Sequence, residues 1–317
     1  MELIEATAPG RCGIVGNPSD IYGGKVLSCS LPNRARCRMI RSRVEKLPED
    51  TRLWDAALKR HPIRGVYTVT WSTDVPRSSG LAGSTALLAT TLACVLAARY
   101  EAPDFNDPRV RVAFAELVRD VERHDAEVMC GYQDAYMVVH GGLQLMDFAG
   151  KHPVIAGPPA MLEAQPSLPP RFLVITTGVE RLSGSVHGPM SERWLRGEQE
   201  VIDAMRRFSE LAPLGASAIR TGEFTKLAEL MTENQELIAS LGGSGEAVDT
   251  LIEKCKAHGA LTAKLAGAGM GGTVIALVED PADLERRLRD EGYSIFTRPE
   301  ASAGVRFEAI LDGSRRT

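Results

Sequence analysis

Residues 76 to 86, Pro-Arg-Ser-Ser-Gly-Leu-Ala-Gly-Ser-Thr-Ala, place glycines and hydroxyls where a loop enters a helix. The first turn of a helix has unpaired N–H groups and a partial positive charge, so an anion such as a triphosphate is stabilised there. Gly80 and Gly83 admit close backbone approach within the run Gly80, Leu81, Ala82, Gly83, Ser84, Thr85, Ala86, and either Ser84 or Thr85 can offer a hydroxyl to phosphate or Mg²⁺. The device differs from a P-loop, because no Gly-Lys-Ser/Thr follows. Taken alone, it reads equally well as a glycine-rich helix cap.

A second glycine run, Gly267-Ala-Gly269-Met-Gly271-Gly272, fits the spacing of the dinucleotide fingerprint. That fingerprint needs a helix after it, whereas the β-branched run Thr273 to Val278 predicts a strand. A dehydrogenase is therefore excluded on context, and the run is either a tight structural turn or a ligand loop. Acid–base chemistry has two candidates: Asp134 in Gly131-Tyr132-Gln133-Asp134, and the polar loop Gly16 to Tyr22 with Asn17, Ser19, Asp20 and Tyr22. The common role of an aspartate at such a junction is a cap, and Asn-Pro with Ser-Asp commonly makes a plain turn.

The elements that must carry these groups follow from periodicity. Leu3 to Ala8, Lys25 to Ser30 and Ala35 to Ile40 predict strands of an antiparallel sheet with the polar loop inserted, and Gly65 to Trp71 predicts another. Helices are expected over 83–99 and Arg109 to Met129, then a hairpin of Met137 to His140 with Leu143 to Asp147 around Gly141-Gly142. Five prolines in Gly157 to Pro170 predict a linker, dividing the chain into residues 1–160 and 161–317. Beyond it, strands are expected at Phe172 to Thr176, Thr273 to Val278 and Val305 to Ile310. Helices are expected at 190–212, 222–241, 245–258 and 281–291, with Trp194, Val201, Met205 and Phe208 as a core-facing stripe of the first.

With 317 residues and 44% apolar content the chain can bury a large core, and a net charge of -4 argues against nucleic acid or anionic lipid as partner. Six cysteines without a C-x-x-C pair fit a reducing compartment, the cytoplasm by default. Ala86 to Ala98 is too short an apolar run to cross a bilayer. No Cys/His zinc cluster is evident.

Taken in order, these segments resemble the GHMP kinase superfamily. Ala8-Pro9-Gly10-Arg11 with Gly16-Asn17-Pro18-Ser19-Asp20 is similar to its first motif, Gly80 to Ala86 to its second and Gly267 to Gly272 to its third. Asp-x-Pro-Arg before Gly-Leu-x-Gly-Ser, Gln-Asp before Gly-Gly-Leu, and Glu192-Arg-Trp194-Leu resemble the glucuronokinase branch. The resemblance implies an α+β, two-lobed fold: an N-terminal ribosomal-protein-S5-like lobe and a C-terminal ferredoxin-like lobe. It implies ATP and Mg²⁺ as cofactors, Asp134 and Arg11 as catalytic groups, Ser84 (or Thr85) with Glu122 at the metal, and Gly80 to Ala86 with Gly267, Gly269 and Gly271 around the nucleotide. Asn17, Ser19, Asp20, Tyr22, Tyr132 and Asp134 would meet a sugar phosphorylated at its anomeric hydroxyl, a uronic acid such as glucuronate first; galactose, a heptose phosphate or mevalonate are the alternatives. A uronate carboxylate needs a cation, for which Arg77 is the candidate. The assembly implied is a monomer or homodimer, and a non-catalytic ligand sensor on the same fold is the remaining class.

Overall fold

A computed structural model describes residues 2–179, 187–267 and 272–311. The first hairpin is its longest feature: β1 (Leu3–Val15) runs antiparallel to β2 (Lys25–Arg41), with one 3-10 turn, Ser19–Tyr22, in the loop between them. Both strands outrun the sequence expectation. The two runs expected at Lys25 to Ser30 and Ala35 to Ile40 are one strand, because irregular pairing between Pro9 and Arg11 lets the ladder continue through the Pro-Gly and Pro-Asn segments.

A strand of that length can serve two partners. Its far half pairs with β3 (Tyr67–Thr73), and its near half with β4 (Leu143–Asp147). β4 is flanked in turn by β5 (Met161–Ala164), and β1 by the last strand, β10 (Arg306–Leu311). The six-stranded sheet thus draws two strands from beyond residue 160, one of them inside the proline-rich segment. β5 is tolerated there because it is an edge strand and its four residues contain no proline. Helices α1 (Arg52–Arg60), α2 (Gly83–Arg99), α3 (Pro108–His124) and α4 (Gln133–His140) share a core with β1 and β2. α2 is apolar on nearly every side, as its burial among the others requires.

α4 corrects the expected hairpin. Met137-Val-Val-His reads as strand in isolation, since a short apolar run does not distinguish the two periods; with Gln133 to Tyr136 before it, the segment completes two helical turns and stops at Gly141.

The second sheet has four antiparallel strands in the order β7 (Thr262–Leu265), β8 (Thr273–Leu277), β6 (Phe172–Thr176), β9 (Phe296–Thr297). Around it lie α5 (His187–Leu195), α6 (Gln199–Thr221), α7 (Phe224–Ser240), α8 (Glu246–Ala257) and α9 (Pro281–Asp290). The helix expected at 190–212 is two helices, and the second runs through Pro213 to Thr221. A proline inside a helix costs about 3 kcal/mol. Buried Phe208, Leu211 and Ala212 before it and Ala216, Ala218 and Ile219 after it offset that cost. Val201, Met205 and Phe208 form the expected buried stripe, while Trp194 sits on the separate α5.

One apolar cluster joins the two sheets: Ile14 and Leu27 of the hairpin meet Leu211 and Ala216 of α6, Phe172 of β6 and Ile275 of β8. No helix among the described residues is long and apolar enough to cross a membrane.

Candidate active site

The site is assembled at the end of the hairpin, where β1 passes beneath the start of α2. Arg11 is 4% exposed. Its Nε and Nη2 donate to Asp134 Oδ1 at 2.8 and 2.5 Å, while Nη1 donates to the Gly80 carbonyl at 2.5 Å. One guanidinium therefore holds both the glycine loop and the aspartate. Asp134 stands in the first turn of α4 with its side chain 25% exposed, and both bonds from Arg11 fall on the same oxygen. Its Oδ2 has no hydrogen-bond partner among the described residues.

The glycine loop has an anion-binding conformation. Ser78, Gly80 and Ala82 have φ of 50°, 74° and 63°, alternating with residues of negative φ. That alternation turns successive N–H groups into one concavity, a nest, and α2 begins at Gly83 immediately beyond it. Left-handed backbone at Ser78 and Ala82 costs roughly 1 kcal/mol or more per residue, and a surrounding structure holds it in place. The Gly80 carbonyl is turned onto Arg11, and the Leu81 carbonyl accepts from Arg11 N at 3.0 Å.

The second glycine run packs on this loop from the other sheet. Thr273 Oγ1 donates to the Ser79 carbonyl at 2.8 Å, and a Cβ on Gly272, whose φ is 97°, would lie 2.7 Å from that carbonyl oxygen. Gly267 lies against Gly80 in the same way, so the two glycine segments the sequence singled out are in backbone contact. The strand expected after Gly272 is β8. Gly269 and Gly271 lie outside the described residues.

Glu122, in the last third of α3, points at the start of α2. Thr85 Oγ1 donates to its Oε1 at 2.8 Å and lies 3.1 Å from its Oε2. Burial, reinforced by the charge of Asp134, pushes the Glu122 carboxyl up to about 7, against the pull of Thr85, Cys130 and Arg119. Ser84, the other hydroxyl, is exposed and takes no part in this contact. The pairing of carboxylate and hydroxyl is therefore made by Thr85, not by Ser84. Both donors are hard oxygens, and a buried carboxylate that makes no direct ion pair among the described residues suits Mg²⁺, which takes few protein ligands and fills the rest of its shell with water and phosphate. No cluster of three or more His, Cys, Asp or Glu side chains is present among the described residues.

The polar loop after β1 lies on the other side of Asp134. Asp20 Oδ2 accepts from the backbone N–H groups of Tyr132 and Gln133 at 2.6 and 2.9 Å, which joins it to the start of α4. Gly131 permits that approach, because a Cβ there would sit 2.1 Å from Asp20 Oδ2. Asn17 and Ser19 are fully buried: Ser19 Oγ donates to the Lys25 carbonyl at 3.1 Å, and Asn17 Nδ2 to the Gly267 carbonyl at 2.6 Å. Their side chains shape the loop from beneath. The Tyr22 ring, partly buried, lies 5.6 Å from that of Trp194, which lies 4.9 Å from that of His152. Tyr132 is buried, with the Arg119 and Lys151 cations 4.3 and 4.2 Å from its ring centroid. Arg77 is exposed.

The sequence reading missed Lys264 and Asn234, which hold Asn17 by hydrogen bonds of 2.9 and 3.1 Å. The sequence signal for Lys264 is a lone charge in the otherwise uncharged run Leu261 to Gly267, directly before the glycine cluster.

Residues 51–142 match the GHMP kinases N terminal domain and residues 216–294 the GHMP kinases C terminal domain, together just over half of the chain. The chain is 27% identical to glucuronokinase 1 of Arabidopsis thaliana, covering 92% of this chain and 91% of that protein. It is 24% identical to the D-glycero-alpha-D-manno-heptose 7-phosphate kinase of Campylobacter jejuni, covering 92% and 95%. Among solved structures, Lactococcus lactis galactokinase complexed with galactose superposes with a TM-score of 0.75 at 17% identity, over 96% of this chain and 95% of that one. Mevalonate kinase of Methanococcus jannaschii gives 0.70 at 17% identity, over 94% and 98%. With the glycine loop, the carboxylate beside it and both terminal domains in place, the chain belongs to the GHMP kinases, phosphotransferases that carry a phosphoryl group from ATP to a hydroxyl.

Proposed function

We propose that this kinase transfers the γ-phosphoryl of Mg·ATP to the anomeric hydroxyl of a sugar, with a uronic acid such as glucuronate as acceptor. The observation that carries the reading is the Arg11 bridge: the loop suited to phosphates and the carboxylate suited to a hydroxyl proton are bound to one side chain. Similarity to a glucuronokinase along nearly the whole chain supports the uronate, and the heptose phosphate kinase relative supports a neutral or phosphorylated sugar as the second reading.

Phosphoryl transfer needs little covalent help from the protein, so positioning and charge neutralisation supply most of the acceleration. The N–H groups of residues 78–84 bind the phosphates, and Arg11 faces the developing charge. Asp134 Oδ2 accepts the acceptor's proton, a role worth about 10²–10⁴-fold. Glu122 and Thr85 would hold Mg²⁺, which when bound neutralises the phosphate oxygens. Asp20 fixes the start of α4 beneath the sugar, and Tyr22 with Trp194 offers aromatic surface for the sugar's apolar face. In this reading the six-stranded sheet, which includes β5 and β10 from beyond residue 160, and the four-stranded sheet, each with its helices, act as the two halves that enclose the substrates, and the six cysteines, buried and free, fit the cytoplasm.

ADP release with Mg·ATP across glucuronate, galacturonate, galactose, glucose, heptose 7-phosphate and mevalonate tests the reading. Glucuronate should give the highest kcat/KM, by about tenfold or more over a neutral hexose. A neutral sugar outrunning it removes the uronate, and no acceptor-dependent ADP at all removes the sugar kinase.

A further inference from the structure

Lys264 stands on β7, three residues before Gly267, and its side chain is fully buried. Its Nζ donates to Asn17 Oδ1 at 2.9 Å and to the Leu265 carbonyl at 2.7 Å. Both acceptors are neutral, and no carboxylate pairs with it among the described residues. Asn17 extends the contact: its Nδ2 bonds the Gly267 carbonyl, its own carbonyl accepts from Asn234 Nδ2, and Asn234 Oδ1 accepts from Gly16 N at 2.7 Å. The ammonium thus lies at the base of a network tying the polar loop of the hairpin to the glycine turn of the other sheet.

As a stabilising device this is poor. An ammonium removed from water without a counter-charge costs several kcal/mol, whereas an apolar side chain of similar length would fill the space without that penalty. The groups facing it do not compensate. β1 contributes Arg11, of the same sign, and the Cys12 thiol, which burial pushes up to about 12 and so keeps neutral. α7 contributes the amides of Asn234 and Gln235, the latter on Leu265 N at 2.9 Å, and α8 packs with buried Val248, Leu251, Ile252 and Cys255. Burial first, then Arg11, bring the ammonium down to about 7. Among the described residues no anion faces it.

We propose that Lys264 is a positioning residue of the phosphoryl-transfer site whose charge, held beneath the polar loop and beside Arg11, is balanced by the polyphosphate of the bound nucleotide. This rests on the nucleotide reading above and extends it to a residue that touches neither substrate. Nucleotide binding and protonation of Lys264 are then linked: phosphates arriving at the Gly80 and Gly267 turns favour the charged form, and the charged form favours the phosphates. Near pH 8 the free protein holds this lysine mostly neutral, so binding draws a proton in. At that pH Glu122 is already mostly ionised and Cys12 stays a thiol, so neither masks the uptake.

The test is calorimetric titration of Mg·ADP and of a non-hydrolysable Mg·ATP analogue at pH 8, in two buffers of different ionisation heat. It is run on the wild type, Lys264→Met and Lys264→Gln. The wild type should take up roughly 0.3–0.8 proton per nucleotide, and both variants should take up none. Both should bind about tenfold or more weakly, with the Met variant melting at or above the wild-type temperature. Lys264→Gln keeps a donor for Asn17 and Leu265 without the charge. Wild-type affinity in that variant would show that hydrogen bonding alone matters and would overturn the proposal, as would unchanged proton uptake in either variant. Should Lys264→Met fail to fold, the Gln arm decides. No acceptor sugar is involved, so a wrong acceptor leaves this test intact, and a wild type that binds no nucleotide refutes the nucleotide reading instead.

Discussion

Glu122 on α3 and Lys264 on β7 are both shut away from water and bonded to neutral partners, whereas Arg11 and Asp134, beside the Gly80 loop, are bonded to each other. The paired charges balance within the protein. The unpaired ones are each displaced toward neutrality, Glu122 upward and Lys264 downward, both to about 7. The signs follow from linkage. A carboxyl raised on folding contributes stability that is full below its ordinary 4.5 and is lost as pH rises through about 7. A lysine lowered on folding contributes stability that is full above its ordinary 10.5 and is lost as pH falls through about 7. Near neutrality the unliganded protein therefore carries both penalties, each on the order of a few kcal/mol. A cation at one and polyphosphate near the other would remove them, which is the charge pattern of a metal–nucleotide complex.

Removing the carboxylate is the harshest way to break this contrast. Glu122→Gln should lower turnover by about 10²-fold or more while leaving the melting temperature at pH 8 unchanged or raised. In the wild type the apparent Mg²⁺ affinity, read from ADP release against total metal, should fall about tenfold per pH unit below 7, because a proton competes for the same oxygens. A flat profile from pH 8 to 6 would separate Glu122 from the metal. A milder test compares the two hydroxyls. Thr85→Val should raise the Mg²⁺ needed for half-maximal rate by roughly tenfold, and Ser84→Ala should stay within about twofold of wild type. The reverse ranking would return the metal to Ser84.

Much of this was legible in the sequence, for identifiable reasons. The glycine and hydroxyl content of residues 80–86 is a backbone requirement, and the strand after Gly272 followed from β-branched residues, so both survived folding as read. Met137 to His140 did not, because four apolar residues suit either period and only the helix neighbours of Asp134 decide. Pro213 ends a helix in isolation; the apolar surface it sits among overrides it. Lys264 and Glu122 show the deeper limit. Their types and positions were visible, but what sets their chemistry is burial against neutral hydrogen-bond partners distant in the chain, Asn17 and Thr85.

In the proposed mechanism one carboxylate, held by Arg11 beside the phosphate loop, accepts the acceptor's proton. Steady-state ADP release by Asp134→Asn, with Mg·ADP binding measured on the same preparation, tests it most directly. The kcat should be lower by about 10²–10⁴-fold, with nucleotide affinity within a few-fold of wild type. An Asp134→Asn enzyme that keeps more than half of the wild-type kcat would contradict it.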